Sequence, residues 1–166
     1  MSNKPKVLVI DDDTYIVEVV STALSLLGDF EIYTAENGAD GLEINENVHP
    51  DVIVIDVGMP YIDGYQVVRA LRGDPQSAQT PIVMLSARTD ARDKLIGLMS
   101  GADYYITKPV AAYKLVQAIQ NAQKLSKKSR EIQITMLSDS EAIENVVQIE
   151  PERAELAGKE DITDEH

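Results

Sequence analysis

Five short apolar runs, separated by longer segments with helical spacing, constrain what this chain can fold into. Val7–Ile10 and Val52–Ile55 are uninterrupted apolar runs rather than alternating ones, which is typical of strands buried on both faces. The predicted strands are Lys6–Ile10, Phe30–Thr34, Val52–Ile55, Pro81–Leu85 and Tyr104–Thr107. The predicted helices are residues 14–27, 39–46, 65–72, 90–100 and 111–127. This alternation predicts an α/β fold with a parallel sheet and right-handed crossovers.

Charged or hydroxyl side chains follow most of the predicted strands. Asp11-Asp12-Asp13 follows the first strand and Asp56 the third. Ser86 follows the fourth and Lys108 the fifth. Ligands of open parallel sheets bind at the carboxyl ends of the strands. We therefore expect these side chains to meet at one edge of the sheet.

The aspartates predict a cation site. Two carboxylates about 4 Å apart repel by roughly 4 kcal/mol at an effective dielectric near 20, so a cluster either raises its pKa values or binds a cation. Oxygen ligands with room for water suit Mg²⁺. One aspartate after a strand is more often a turn or cap, but Asp11, Asp12 and Asp56 together predict a shared magnesium site. Asp13 is expected to cap the helix that begins near Thr14.

Ser86 and Lys108 extend the prediction from metal binding to phosphoryl chemistry. Alone, Ser86 would be interpreted as a helix cap and Lys108 as a solvated loop residue. A lysine, a hydroxyl and a magnesium ion around one carboxylate are the groups that an acyl phosphate needs, because they neutralise or hydrogen-bond the phosphoryl oxygens. The combination predicts that an aspartate oxygen attacks phosphorus at this site.

Four motifs along about the first 125 residues resemble the receiver domain of two-component response regulators. VLVIDD is similar to the family's acidic pair, and VIVIDVGMPYIDGYQV to its phosphoacceptor segment. IVMLSA resembles the fourth strand with its Ser/Thr followed by Ala, and YYITKP resembles the fifth with its aromatic and Lys-Pro. The resemblance implies a flavodoxin-like, doubly wound sheet of five strands in the order 2-1-3-4-5.

The resemblance also implies a role for each matching residue. Asp56 would be the phosphoacceptor, and Lys108 and Ser86 would contact the phosphoryl group. Ser86 and Tyr105 would form the switch, with Tyr105 rotating inward as Ser86 moves toward the phosphoryl oxygens. The Lys108–Pro109 peptide bond would be cis. The implied Mg²⁺ ligands are Asp11, Asp12, Asp56 and the backbone carbonyl of Gly58.

The implied function is that of a signalling domain rather than an enzyme. Asp56 would accept a phosphoryl group from a sensor histidine kinase or a histidine phosphotransfer protein. Only Mg²⁺-dependent self-phosphorylation and autodephosphorylation would be catalysed, and the downstream protein partner is not encoded in any motif. DNA-binding regulators of the family commonly have a charged dimer interface, and the resemblance implies that a homodimer could form through the fourth helix, fifth strand and fifth helix. Lys114 stands here where the family usually has an acidic residue, which weakens that expectation.

Two other functions use some of the same residues. Haloacid-dehalogenase-like phosphatases also use a strand-end aspartate pair, and Asp11 would then be the nucleophile. Thr14 is one position early for their motif, and the Asp56 segment would go unexplained. A receiver-like scaffold that is never phosphorylated is the other alternative, although no residue needed for phosphorylation is missing.

Charge and composition limit the classes of partner that the chain can bind. The formal net charge is −13, and no basic stripe is visible, so we expect neither direct nucleic-acid binding nor membrane binding. After MSNKPK only four apolar residues stand before Asp11, which is too few for a secretory signal. The chain has no cysteine, in keeping with a reducing compartment, and we expect a cytoplasmic protein.

Two regions are predicted along the chain. Residues 1–125 would form the receiver domain, and residues 126–166 an acidic extension with 11 acidic and 5 basic side chains. The extension is expected to be a tail or to hold a short helix after the capping-box spacing of Ser138 to Glu141. It is too short for a recognised output domain.

Overall fold

The computed structural model describes residues 3–124. Strands and helices alternate along this range. The strands are β1 (Lys6–Ile10), β2 (Glu31–Ala35), β3 (Val52–Asp56), β4 (Ile82–Ser86) and β5 (Tyr104–Thr107). The helices are α1 (Thr14–Leu27), α2 (Gly38–Val48), α3 (Gly64–Gly73), α4 (Ala91–Ser100) and α5 (Ala112–Lys124).

All strand pairs are parallel, and the sheet has the order β2-β1-β3-β4-β5. The predicted flavodoxin-like fold and its strand order are confirmed. A sheet of this order changes direction beside its first strand, since the chain moves from β1 outward to β2 and then returns to β3. Ligand sites in such sheets form at the carboxyl ends of the strands near this change of direction.

The uninterrupted apolar runs are explained by helices on both faces of the sheet. Alternate residues of β1 point to opposite faces: Leu8 and Ile10 belong to one buried cluster, and Val7 and Val9 to another. The first cluster is completed by side chains of α3, including Val67, Val68 and Leu71. The second is completed by α1 and α5, with Val20, Leu24, Leu115 and Ile119. Because each face is covered, neither set of strand side chains needs to be polar.

Most element boundaries differ by one or two residues from the sequence prediction. Asp56 and Ser86 were expected just after their strands, but they are the last residues of β3 and β4. Their backbones still pair with the neighbouring strand, Asp56 with Leu85 and Ser86 with Thr107. Side-chain polarity therefore misplaced the strand ends, because backbone pairing continues past the last apolar residue.

The end of the last predicted helix and the C-terminal extension lie outside the described residues. The structure begins α5 at Ala112 rather than at Ala111, and it describes this helix as far as Lys124. The prediction for residues 126–166, with its short helix after Ser138, stays a prediction. No helix in the part of the chain that the structure describes is both long and apolar enough to cross a bilayer.

The start of α3, which follows β3, is set by short-range contacts. The Asp63 side chain accepts the backbone N–H of Gln66, whose side chain accepts the N–H of Asp63, forming a capping box at the start of α3. Gly64 lies against the backbone of Asp56 and Val57, where a Cβ atom would clash. The Asp-Gly pair therefore lets α3 begin directly against the end of β3.

Candidate functional site

Strand register brings the predicted site residues together. Ile10 of β1 pairs with Ile55 of β3, so Asp11 and Asp56, which follow them, lie side by side. Ser86 ends β4 beside Thr107, and Lys108 follows Thr107 directly. A cleft of about 320 Å³ lies at this edge of the sheet. Its lining is formed by Asp11, Asp12, Asp13, Asp56, Gly58, Ser86, Ala87, Arg88 and Lys108.

Three carboxylates in the cleft are close enough to share a metal ion. Asp11, Asp12 and Asp56 each offer one oxygen, and these oxygens lie within 4.8 Å of one another. Asp11 and Asp56 are buried, with 2 % and 7 % exposed, whereas Asp12 is exposed. Three carboxylate oxygens at one water-accessible point fit a hard divalent cation such as Mg²⁺, which binds oxygen and keeps water ligands.

The predicted role of Asp13 as a helix cap agrees with its contacts. Its side chain accepts the backbone N–H groups of Tyr15 and Ile16 at the start of α1. Its own N–H donates to Oδ1 of Asp11 at 3.0 Å. The three consecutive aspartates thus divide between a carboxylate cluster and a helix cap, although Asp13 also lines the cleft.

Lys108 joins two of the carboxylates. Its Nζ donates to Oδ1 of Asp56 at 2.7 Å and to Oδ2 of Asp11 at 2.9 Å. The lysine side chain is 20 % exposed, and the two carboxylate side chains are 9 % and 3 % exposed. This short, shielded bridge offsets part of the repulsion between the acids.

The titration of the bridged groups reflects burial and pairing. Burial raises the pKa of Asp56 above its ordinary value and the nearby charge of Asp11 adds to this, while the hydrogen bond from Lys108 opposes it. Burial alone would lower the pKa of Lys108, but its hydrogen bonds to Asp56 and Asp11 outweigh burial, so that pKa is raised. Lys108 therefore stays charged at neutral pH beside a carboxylate whose charged form is destabilised.

Ser86 and Tyr105 meet at the loop that follows β4. Ser86 is 2 % exposed, and its Oγ accepts the backbone N–H of Arg88 at 3.0 Å. The hydroxyl of half-buried Tyr105 donates to the backbone carbonyl of the same Arg88 at 3.4 Å. The two predicted switch residues are thus linked through one intervening residue. The Lys108–Pro109 peptide bond is cis, as predicted.

Gly58 lies beside the Asp56 carboxylate without adding a side chain to it. A Cβ built on Gly58 would lie 3.8 Å from Oδ2 of Asp56. Gly58 therefore presents only backbone atoms to Oδ2 of Asp56. Gly58 lines the cleft, and its implied role as a backbone-carbonyl ligand of Mg²⁺ stays a prediction.

Arg88 is the cleft residue that sequence reasoning missed. It lines the cleft, and its Nη1 lies 3.7 Å from Oδ1 of Asp93 in α4. Its position two residues after Ser86 was the available signal. Loop residues do not follow strand alternation, however, so its orientation could not be inferred from the pattern.

Comparisons with known proteins agree on one family. A family model described as the response regulator receiver domain matches residues 7–120. The probable transcriptional regulator ycf27 of Cyanophora paradoxa is 40% identical over 119 residues, which cover 72% of this chain and 48% of that protein. The transcriptional regulatory protein PrrA of Mycobacterium tuberculosis is 40% identical over 116 residues, covering 70% and 48%. The chain therefore matches about half the length of these curated relatives.

Solved structures extend the likeness to the fold. The chemotaxis protein CheY4 of Vibrio cholerae matches with a TM-score of 0.68 and 34% identity, covering 72% of this chain and 98% of that one. The receiver domain of the Francisella response regulator 1452 matches with a TM-score of 0.67 and 38% identity, covering 72% and 97%. The matched part thus corresponds to nearly the whole of each of these solved chains.

Proposed function

Because the chain belongs to the response regulator receiver family, we propose that Asp56 accepts a phosphoryl group and thereby switches a partner-binding face. The observation that carries this proposal is the bridge from Lys108 to Asp56 and Asp11. It joins a buried carboxylate to a permanent cation at the mouth of a water-accessible cleft. Neither the phosphatase nor the scaffold alternative is favoured by the family match.

The proposed donor is the phosphohistidine of a sensor kinase or of a histidine phosphotransfer protein. An oxygen of Asp56 attacks phosphorus, the bond from phosphorus to the imidazole nitrogen breaks, and the electron pair of that bond stays on the imidazole. The product is an acyl phosphate on Asp56. The carboxylate attacks in its ionised form, and burial raises the pKa of Asp56 while the hydrogen bond from Lys108 favours the ionised form.

Lys108 and Ser86 are proposed to bind the incoming phosphoryl group. The ammonium group of Lys108 already lies at hydrogen-bond distance from Asp56, so it can neutralise charge on a phosphoryl oxygen without moving far. Oγ of Ser86 accepts the Arg88 N–H, so its hydroxyl hydrogen can be donated to a phosphoryl oxygen. Ala87, which also lines the cleft, is small enough to leave access to the site.

Asp11, Asp12 and Asp56, with the backbone carbonyl of Gly58, are proposed to hold Mg²⁺. The spacing of the three carboxylate oxygens and the hardness of the donors support this choice. When bound, the ion supplies positive charge to the phosphoryl oxygens. The protein would then act as a signalling domain, catalysing only its own phosphorylation from small donors and its own dephosphorylation.

The proposed output is a change of protein binding at the face formed by α4, β5 and α5. Tyr105 lies in this region, and Ile96, Met99 and Tyr113 are exposed there, with 41%, 60% and 63% of their surfaces accessible. Such side chains suit protein contacts, including those of a homodimer. We also propose that the protein is cytoplasmic and that its downstream partner is another protein. The division into a receiver at residues 1–125 and an extension at residues 126–166 is likewise proposed.

Chemical trapping of the phosphoryl group tests the function. The full chain is incubated with Mg²⁺ and acetyl phosphate, and hydroxylamine-sensitive phosphate is mapped by mass spectrometry. We expect one labelled residue, Asp56, and no label in Asp56→Asn. Asp29→Asn is the matched control, because Asp29 is an exposed aspartate that pairs with Lys4 outside the cleft.

The alternatives predict different results. Label on Asp56→Asn equal to that of the wild type would refute the assignment of Asp56. A wild-type chain that never takes up phosphate would favour the scaffold. Turnover of a phosphomonoester that is lost in Asp11→Asn would favour the phosphatase.

A further inference from the structure

Arg88 contacts three parts of the switch region at once. Its backbone N–H donates to Oγ of Ser86, and its carbonyl accepts the hydroxyl of Tyr105. Its guanidinium group pairs with Asp93 of α4, while the residue itself lines the cleft of Asp56. A single residue thus lies between the phosphoacceptor site and α4.

The ion pair between Arg88 and Asp93 is weak. The nitrogen-to-oxygen distance is 3.7 Å, and the two side chains are 56% and 26% exposed. Exposed pairs of this length stabilise a protein little, because solvent screens them and two side chains must be held in place. The guanidinium group can therefore leave Asp93 at small cost when a stronger anion forms nearby.

Phosphorylation creates such an anion inside the cleft that Arg88 lines. An acyl phosphate adds about −1.5 to −2 charges and three strong acceptor oxygens. The planar guanidinium group matches phosphate oxygens better than it matches one distant carboxylate oxygen. Gly58 borders Asp56 without a side chain. Arg88 is thus a long cationic side chain at the rim that can reach toward the new group.

We propose that Arg88 exchanges Asp93 for a phosphoryl oxygen when Asp56 is phosphorylated. Asp93 is then a competing anion, since it holds Arg88 away from the site in the unmodified protein. The exchange breaks one ion pair between the β4–α4 loop and α4. The hydrogen bond from the Tyr65 hydroxyl to the Asp93 carbonyl still holds the helix. The inference rests on the proposed phosphorylation of Asp56 and adds a positioning residue to it.

Competition predicts opposite effects for the two partners. With Mg²⁺ present, trifluoroberyllate serves as the phosphoryl mimic, and its affinity for the full chain is measured by titration of backbone amide NMR signals. Arg88→Ala should weaken binding by roughly fivefold. Asp93→Asn should strengthen it by about twofold to fivefold. The double variant should bind like Arg88→Ala alone, because Asp93 acts only through Arg88.

A purely structural role would give a different pattern. If the pair only positioned α4, Arg88→Ala and Asp93→Asn would shift the affinity in the same direction, and this result would overturn the proposal. An unchanged affinity in Arg88→Ala would do the same. Arg69→Ala, which removes an exposed arginine from α3, is the matched control and should bind like the wild type.

Failure of the inference can be told from failure of the proposed function. A wild-type chain that binds trifluoroberyllate, and an Asp56→Asn variant that does not, keep the phosphoacceptor assignment whatever Arg88 does. A second readout is the amide signals of α4: in Asp93→Asn without the mimic, they should shift part of the way toward their positions in the bound wild type. Signals that stay at the unbound positions would contradict release of this tie.

Discussion

Nζ of Lys108 lies 2.7 Å from Oδ1 of Asp56, although the two residues are 52 positions apart in the chain. Lys108 follows β5 and Asp56 ends β3, so the lysine side chain reaches past β4, the strand between them. The same nitrogen also donates to Oδ2 of Asp11, the residue that directly follows β1. One cation therefore ties together the carboxyl ends of three strands.

We expect Asp56→Asn to stabilise the folded protein in Mg²⁺-free buffer. Burial raises the pKa of Asp56, so folding disfavours its charged form. In the wild type, the folded state binds the proton more tightly than the unfolded chain, and stability falls as pH rises from the ordinary carboxyl pKa of about 4 through the raised value. The variant should gain on the order of 1 kcal/mol at pH 7, measured by urea denaturation.

The pH dependence of that gain is its sharper check. It should shrink as pH is lowered toward and below about 4, where the carboxyl group is protonated in both states. Glu43→Gln, an exposed acid on α2, should show no such gain. A gain that is constant with pH, or a variant less stable than wild type at neutral pH, would contradict the argument.

Magnesium should stabilise the wild-type chain through Asp12. A ligand that binds only the folded state adds about 2.7 kcal/mol when its free concentration is about 100 times the dissociation constant. Asp12 is exposed, so Asp12→Asn removes a proposed ligand without disturbing the core. We expect thermal denaturation to show a Mg²⁺-dependent rise in Tm for wild type and Glu46→Gln, and little rise for Asp12→Asn. An undiminished rise in Asp12→Asn would exclude that residue as a ligand.

Gly97 of α4 should be required for the position of Tyr105. A Cβ atom on Gly97 would clash with the Tyr105 ring and would lie 3.3 Å from Sδ of Met84. Gly97→Ala should therefore cost about 1–3 kcal/mol by overpacking, measured by urea denaturation. In a Tyr105→Ala background the same substitution should stabilise by up to about 1 kcal/mol, because alanine favours helix over glycine.

Gly97→Ala is thus expected to destabilise the wild type and to stabilise the Tyr105→Ala variant. This change of sign separates the effect of packing from that of helix propensity. Gly73→Ala is the matched control, since its added Cβ would meet no atom within 4 Å apart from its chain neighbours and the backbone of its own helix. The effect of Gly73→Ala on the free energy of unfolding should be the same with and without the Tyr105 ring. Equal effects of Gly97→Ala in both backgrounds would show that the ring does not press on this helix.

Arg72 should be a major determinant of stability at the opposite end of the sheet. It donates to the carbonyls of Gly101 and Thr80 at 2.9 and 2.6 Å, and to Oδ2 of Asp103 at 3.2 Å. The Asp103 side chain is fully buried and also accepts the N–H of Ile82. Arg72→Met leaves that charge without this partner, and we expect a loss of about 3–5 kcal/mol in urea denaturation.

Arg69→Met makes the same chemical change on an exposed position of α3. Its effect should stay within about 0.5 kcal/mol. If the two arginine variants lost similar stability, the buried contacts of Arg72 would not account for its effect.

Local sequence patterns predicted the framework because each carries its own physical cause. Uninterrupted apolar runs can be satisfied only by strands covered on both faces, and Asp13 and Asp63 cap helices through contacts within three residues. The ends of the strands were predicted less accurately, since Asp56 and Ser86 belong to β3 and β4 rather than following them. Whether a terminal residue still pairs depends on the neighbouring strand, which is distant in sequence.

The fold class, the strand order implied by the family resemblance, and the set of side chains at the carboxyl edge could all be predicted from the sequence. The pairing of those side chains became visible only in the folded structure. Lys108 bridges Asp56 and Asp11, and Arg88 turns toward Asp93 while lining the cleft. Periodicity specifies which face of an element is buried, but contacts between loop side chains depend on register and on flexible torsions. These are set only when all the strands are assembled.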